Sequence, residues 1–377
     1  MEVILMIIRC LLLGLFVIGA SVARPCAPAY GPGMHVGITA ESALIIYDDK
    51  TKTEHFIRRA NFDTSAPYFG FLVPTPTAPQ LAEMADSTFH TLEEWTAPEI
   101  RHETKVRYTS LFGSVFTSTM RAGFSANKSE HLVMAAPVQV IDRQRVAGLD
   151  AVVLKATDAE ALRKWLNEHG YEARPSLTAW LEWYVKNGWY LTAFQFKKEN
   201  ATENSLATKA VRMTFQTEKP FYPYREPADQ REGKALKSRS LRVFYVGSQR
   251  VAGKLGEAEW TAGRAVWSNP LTESQQKSLN PMVQDSRPDA KLNAPKIELP
   301  GESRLTVFDD FSRPRQGTDE VYFERATTQE GLKRPPIIRT TYVYQVNPSE
   351  MIGASLACVA MIAAGGWLVR RFRRPVS

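Results

Sequence analysis

The sequence predicts an α+β fold, a mostly antiparallel β-sheet with a few covering helices, set between an N-terminal signal peptide and one C-terminal transmembrane helix. Short runs rich in β-branched and aromatic residues recur along the chain, bounded by Asp, Asn, Gly and Pro. From Gly148 to Pro227 the order is strand, helix, helix, strand, strand, which puts helices on one face of a largely antiparallel sheet. Apolar stretches stand at both ends of the 377 residues.

Leu11 to Ile18 is an almost unbroken apolar run after Arg9, and Ser21-Val22-Ala23 sets small residues where a signal peptidase reads. This predicts a signal peptide over 1–23, cleaved after Ala23. Initiation at Met6 gives a cleaner signal, because Glu2 then falls away. Arg24 and Pro25 occupy positions that a lipobox needs for small residues, so Cys26 is not expected to carry lipid. Met351 to Val369 has no charged residue and makes about 28 Å of helix, close to the bilayer core. The RRFRR that follows places the tail, 370–377, in the cytoplasm and residues 24–350 outside it. The expected localisation is therefore a single-pass membrane protein. Gly353 and Ala357 stand four apart, a spacing compatible with helix-on-helix packing, which leaves homo-oligomerisation open.

Arg9, Glu2 and the four arginines after Val369 account for +4 of the net charge of +7, leaving +3 on the exported part. No basic stripe points to nucleic acid. The tail itself suits anionic lipid headgroups. Cys10 leaves with the signal and Cys358 falls in the span, so Cys26 is the only exported cysteine and no intramolecular disulfide is expected.

In chain order, SALIIYDD, TEHFIRRANF and YFGFLVPTP read as strands. Asp48-Asp49-Lys50 turns the first into the second, and Pro74, Pro76 and Pro79 end the third. Leu81, Met84, Phe89 and Leu92 predict one helix from Gln80 to Trp95, and 103–141 reads as two or three further strands. Leu149 to Leu154 predicts a buried strand. Thr157 with Glu160 predicts a capping box for a helix whose Leu162, Trp165 and Leu166 share a face and which Gly170 stops. A second helix begins near Ser176 and ends at Asn187-Gly188. Trp189 to Lys197 alternates as a strand, and Val211 to Thr217 makes another. PFYPYREP is extended, since each residue before proline is pushed out of the helical region.

The polar segment Ala228 to Ser240 predicts a loop between a main domain over 24–227 and a second β-rich part over 228–350. Ser240 to Val246 and Glu257 to Val266 read as strands, and 268–303 as a long exposed proline-rich connection. RLTVFDDF, EVYFERA and IIRTTYVYQV close the fold. The last ends at Asn347, so the exported domain is expected near the bilayer. The sequence carries no internal repeat.

FGFLVPTPTAP, VVLKATDAEALRKWLNEHGY, WYVKNGWYLTAFQF and MTFQTEKPFYPYRE resemble successive motifs of a bacterial family known as domain of unknown function 2330. The resemblance spans most of the exported part. It implies an exported protein, often with a C-terminal membrane segment, and brings no activity, substrate or catalytic residue. Where relatives often open on a Cys-rich or Cys-Gly-Gly segment, here Cys26 is followed by Ala27-Pro28-Ala29.

The histidines are His35, His55, His90, His102, His131 and His169, and no two stand at metal-ligand spacing. His90 with Glu93 and Glu94 reads as a solvated helix face before it reads as a metal site. Cys26 near His35 is the only exported Cys–His pair, in proline-rich surroundings that do not suit a nucleophile. The sequence lacks a nucleophile elbow, a phosphate loop and a dinucleotide fingerprint, so no catalytic, cofactor or metal residue is assigned and no cofactor is expected. Asp309, Asp310, Asp319 and Glu320 read as a solvated turn without the spacing of a calcium loop.

Trp180, Trp183, Tyr184 and Trp189 allow two readings: a stacking platform for a sugar or peptide, or the commoner one, filling of the seam between helix and sheet. The function expected is a membrane-anchored extracytoplasmic binding or scaffolding module whose partner is an envelope protein or glycan. The alternative is an envelope hydrolase whose acid and base are dispersed in sequence.

Overall fold

The computed structural model describes residues 27–29, 34–109, 138–171, 175–198, 204–228, 239–287, 295–346 and 348–372. The expected signal peptide, Cys26 and any strand within 110–137 lie outside the described residues. In chain order the elements begin with β1 (Ala27–Ala29), β2 (Val36–Asp48), β3 (Thr53–Thr64), β4 (Tyr68–Thr75), β5 (Gln80–Met84), α1 (Ser87–Trp95) and β6 (Ile100–Thr109). There follow β7 (Gln139–Val146), β8 (Leu149–Lys155), α2 (Ala159–Glu168), α3 (Pro175–Lys186), β9 (Tyr190–Lys197), β10 (Ser205–Ala207), β11 (Ala210–Gln216) and β12 (Phe221–Tyr222). The rest are β13 (Ser240–Gly247), β14 (Val251–Leu255), β15 (Ala258–Glu259), β16 (Arg264–Pro270), α4 (Glu273–Met282), β17 (Arg304–Asp310), β18 (Val321–Arg325), β19 (Ile337–Val346) and α5 (Pro348–Phe372).

The chain divides into two compact units, Met1–Ala97 with Ala126–Lys333, and Pro98–Ser125 with Arg334–Ser377. In the first, an eight-stranded sheet runs β16-β17-β13-β2-β3-β11-β5 with β10 beside β3. It is antiparallel except where β2 and β13 run parallel, from Ala40 and Ser240 onward. A five-stranded sheet runs β1-β4-β9-β8-β7, and a small one β12-β18-β14-β15.

The strand period of two sorts the side chains into layers. On β2, Ala43, Ile45 and Tyr47 face an inner core while Leu44 and Ile46 face an outer one. On β8, Ala151 and Val153 face the same inner core while Val152 and Leu154 face a third. Between the sheets Phe62 stands edge-on to Phe69 and Phe71 at 5.0 and 6.1 Å, and Phe69 stacks on Phe196 at 4.8 Å. The outer faces are covered by helices. Leu162, Trp165 and Leu166 of α2 with Leu177 and Leu181 of α3 cover the five-stranded sheet. Phe89 and Leu92 of α1 with Leu279 of α4 cover the eight-stranded one. Both sheets are apolar on both faces, so each needs its own helical layer, where one covered face was expected.

Local departures have identifiable causes. The single helix expected over 80–95 is β5 followed by α1: Leu81 and Met84 lie on opposite faces of a strand that pairs with β11. The cap of α2 is Asp158, whose Oδ1 accepts the Ala161 N–H at 2.6 Å, one residue after the Thr157 expected there. Gly170 does stop that helix, at φ +79°.

The supposed exposed connection 268–303 contains α4, opened by a capping box of Thr272 and Gln275, and buries Leu271, Leu279, Val283 and Ile297. Buried Arg212 on β11 holds it down, donating to the Val283 and Pro295 carbonyls at 3.0 Å each. Anchors this sparse leave no hydrophobic period to read. The boundary expected near 227 falls inside the first unit, because β13 pairs with β2.

In the second unit β6 and β19 pair in parallel, from Ile100↔Ile337 to Thr109↔Val346. Alternation gives this ribbon one face of Ile100, Val106, Tyr108, Ile337 and Val343. The other carries Arg101, Glu103, Lys105, Arg107, Tyr342 and Tyr344, with Arg107 over the Tyr342 ring at 4.3 Å. Helix α5 exposes Ile352, Leu356, Val359, Ile362 and Leu368. Among the described residues no helix is long and apolar enough to cross a membrane. The side chains at 351, 353, 354, 357, 358 and 369 lie outside them.

Candidate functional site

Glu41 on β2 and Arg58 on β3 face the inner core, where alternation would otherwise place apolar groups. Arg58 Nε and the Tyr222 hydroxyl both donate to Glu41 Oε1 at 2.5 Å. Arg315 Nη1 lies 3.4 Å from Glu41 Oε2 and 3.9 Å from Glu226, and its Nε lies 3.5 Å from Asp310. Arg239 pairs with Glu226 at 2.7 Å, and the Tyr224 hydroxyl donates to Asp310 at 2.8 Å. Three carboxylates thus meet three guanidinium groups in the interior. Burial pushes the Glu41 carboxyl up, but Arg58, Arg315, Arg239 and the Tyr222 hydroxyl outweigh it and hold the group at about 2. Burial alone would lower Arg315, yet Tyr222, Glu41, Glu226 and Asp310 raise it well above the usual arginine value. The cluster ties strands from both halves of the chain together and leaves no charge uncompensated.

Glu320 lies beside it, fully buried, accepting from the Tyr184 hydroxyl at 2.5 Å and from the backbone N–H groups of Tyr224 and Arg225 at 2.8 and 3.2 Å. Burial raises its carboxyl above the ordinary range despite those bonds. Asp309, Asp310 and Glu320, expected in solvent, are therefore buried, and Asp319 alone is partly exposed, bonded to Arg225 at 2.7 Å. Their charge density reads as a turn, whereas β17 and the residues leading into β18 carry them inside, where Asp309 meets Arg242 and Glu320 lies near Arg225, both far away in sequence.

The aromatic residues named from sequence do come together. Trp180 and Tyr184 are buried, Trp183 and Trp189 half-buried. The Tyr184 ring lies 4.6, 5.1 and 5.5 Å from Trp180, Trp183 and Trp189, and Trp189 meets Phe221 at 5.2 Å. Trp180 Nε1 donates to the Arg225 carbonyl, and the Arg225 guanidinium stands 4.2 Å over Trp183. This is a filled seam between α3 and the strands beside it.

An open cleft of about 470 Å³ lies where α2 ends over the five-stranded sheet. Arg145, Asp150, Gln195 and Gly70 are successive register partners across β7, β8, β9 and β4, and Arg143 lies one step along beside Val152. The backbone turns at Gly170 and lays the Tyr171 ring on Gly70, where a Cβ would come 1.8 Å from it. Trp165 and His169 stack with ring centres 3.8 Å apart. His169 Nδ1 lies 2.7 Å from the Trp165 carbonyl oxygen. A carbonyl only accepts, so Nδ1 carries the proton, and His169 lines the cleft. Burial pushes the Tyr171 hydroxyl well up, with Arg143 opposing and Asp150 adding. Among the described residues neither Arg143 nor Arg145 has an ion-pair partner.

A second cleft of about 460 Å³ lies on the eight-stranded sheet, but its arginines are occupied. Arg59 pairs with Glu93 at 3.1 Å, and Arg242 with Asp309 at 2.7 Å. Glu93 is thereby separated from His90, which faces Glu94 at 3.5 Å on the exposed side of α1. His55 is buried against Thr214 Oγ1 at 2.9 Å, and burial with Arg212 nearby lowers it to about 4, Asp48 opposing. Among the described residues no group of three or more His, Cys, Asp or Glu is placed to hold a metal ion.

Sequence reading missed the cleft. From sequence His169 reads only as a histidine outside metal-ligand spacing, Trp165 as part of a helix face and Gly170 as a helix stop. Arg143 and Arg145 stand at alternating positions on one strand, and that was the available signal.

Fold and site together define an α+β protein of two packed sheets under helical layers, with a polar cleft at one helix end. The chain belongs to the bacterial family of domain of unknown function 2330, described as an uncharacterized protein conserved in bacteria, whose sequence model matches residues 23–284. Strands β17 and β18, beyond that match, complete the same sheets. No curated protein matches the chain. The crystal structure of baculovirus P35 is similar over 83% of this chain and 100% of that one, at 9% identity and a TM-score of 0.34, a level that carries no argument.

Proposed function

We propose that the protein is a membrane-anchored binding module of the cell envelope, with residues 24–350 outside the cytoplasm, a span over 351–369 and a basic cytoplasmic tail over 370–377. The uncharged run from Met351 to Val369 and the arginines after it support the anchor. The apolar run before Ser21-Val22-Ala23 supports export.

The observation that carries the binding reading is the cleft at the end of α2. Among the described residues, Arg143 and Arg145 without ion-pair partners, His169 and Tyr171 line it with a single carboxylate, Asp150. Glycoside hydrolysis ordinarily takes two carboxylates. The raised carboxyls Glu54 and Glu320 are fully buried, bonded to backbone N–H groups, and line no part of this cleft. The hydrolase reading is the weaker one.

Two measurements test the proposal. Protease added to intact spheroplasts is expected to digest the 24–350 region and spare an epitope on the tail; protection of both would overturn the topology. Purified full-length protein is expected to leave sugar, ester and peptide substrates unchanged. Hydrolysis that disappears in Asp150→Asn would overturn the binding reading.

A further inference from the structure

We infer that the cleft at the end of α2 takes a small monoanionic ligand by its carboxylate, held between Arg143 and Arg145. This rests on the binding reading above and names its ligand. The two arginines stand two residues apart on β7, on one face, about 7 Å apart along the strand. Each guanidinium presents a planar fork that matches a carboxylate. Strand β7 is the edge of its sheet, so both side chains reach the cleft from a strand with no neighbour beyond it among the described residues.

Charge selects among anions. Arg143 and Arg145 against Asp150 leave one positive charge at the sheet face. A monoanion compensates it, a phosphate dianion overshoots, and a neutral molecule leaves it uncompensated. The rest of the lining sets the polar groups of Gln144, Gln195, Tyr171 and His169 beside the apolar Val152 and Trp165. These groups suit a ligand that also carries hydroxyl or amide groups. Arginines on an edge strand also deter strand pairing, a role that requires no ligand, and the experiment separates the two.

Full-length protein in detergent is titrated calorimetrically with D-glucuronate and with N-acetyl-D-alanyl-D-alanine. Each is set against a neutral counterpart, D-glucose and the C-terminal amide of the same peptide. At least one carboxylate probe is expected to bind in the millimolar range or tighter, about tenfold better than its counterpart. Which probe binds distinguishes a sugar acid from a peptide terminus. Arg143→Gln and Arg145→Gln are each expected to weaken binding about tenfold, while Arg59→Gln in the other cleft leaves it unchanged.

Equal binding of charged and neutral probes, wild-type affinity in both arginine variants, or no saturation by either carboxylate at millimolar concentration overturns the assignment. Binding of a neutral probe that is lost in Tyr171→Phe would sink the carboxylate while keeping the cleft as a binding site. Turnover of either carboxylate probe would sink the binding reading itself.

Discussion

The inner core and the cleft at the end of α2 each gather arginines, and they treat them in opposite ways. Inside, Arg58, Arg239 and Arg315 are matched in charge by Glu41, Glu226 and Asp310, and the Tyr222 and Tyr224 hydroxyls donate to Glu41 and Asp310. On the cleft wall, Arg143 and Arg145 are exposed and, among the described residues, have no ion-pair partner beside the one carboxylate, Asp150. Buried charges must be compensated within the fold, because an unpaired one in a low-dielectric interior is strongly destabilising. Solvent relieves that requirement at the surface, so an unpaired surface cation is free to meet a ligand. The contrast teaches that the buried ionised cluster of this molecule belongs to its scaffold.

The sharpest test of that contrast is Arg315→Met. It leaves buried Asp310 without a cation and takes one of two arginines from Glu41 and from Glu226, and is expected to lower stability by about 3–5 kcal/mol in chemical denaturation. A loss no larger than that of a surface arginine would break the comparison.

Next in size is the acid response of Glu41. Its folded value of about 2 lies below the ordinary 4.5, so the fold favours the ionised form. Its contribution, about 3 kcal/mol, is fully present above the ordinary value and lost as pH falls through the folded one. Glu41→Gln should flatten the slope of stability against pH in that window. Glu54 has the opposite sign: burial raises its carboxyl, against the Phe221 N–H, so its contribution is present below 4.5 and lost as pH rises through the folded value. Glu54→Gln should gain stability relative to wild type with rising pH.

Gly70→Ala pushes the Tyr171 ring off the sheet and is expected to cost about 1–3 kcal/mol, read as a fall in Tm, while reshaping the cleft. Asp158→Ala removes the α2 cap and should cost about 1 kcal/mol, with Thr157→Ala costing less. Smallest, Arg143→Gln and Arg145→Gln should change stability by less than about 0.5 kcal/mol.

The elements with a local period were legible. Trp165 and Leu166 predicted the α2 face, Gly170 its end, and SALIIYDD a strand. The 80–95 segment misled because Leu81 and Met84 suit a helical face and a two-sided strand equally well. Segment 268–303 was illegible because Leu279, Val283 and Ile297 are anchored by Arg212, far away in sequence. The cleft was invisible for the same reason: Arg145, Asp150, Gln195 and Gly70 become neighbours only through strand register.

By itself the sequence determined membership of the family, the α+β class, the apolar character of both ends and most strands and helix stops, all consequences of residue order over a few turns. The tertiary structure decided which face each sheet covers, that Asp310 and Glu320 are interior groups, and that a polar row opens where α2 stops. Those depend on pairing between distant strands, and no local pattern records a partner more than a hundred residues away.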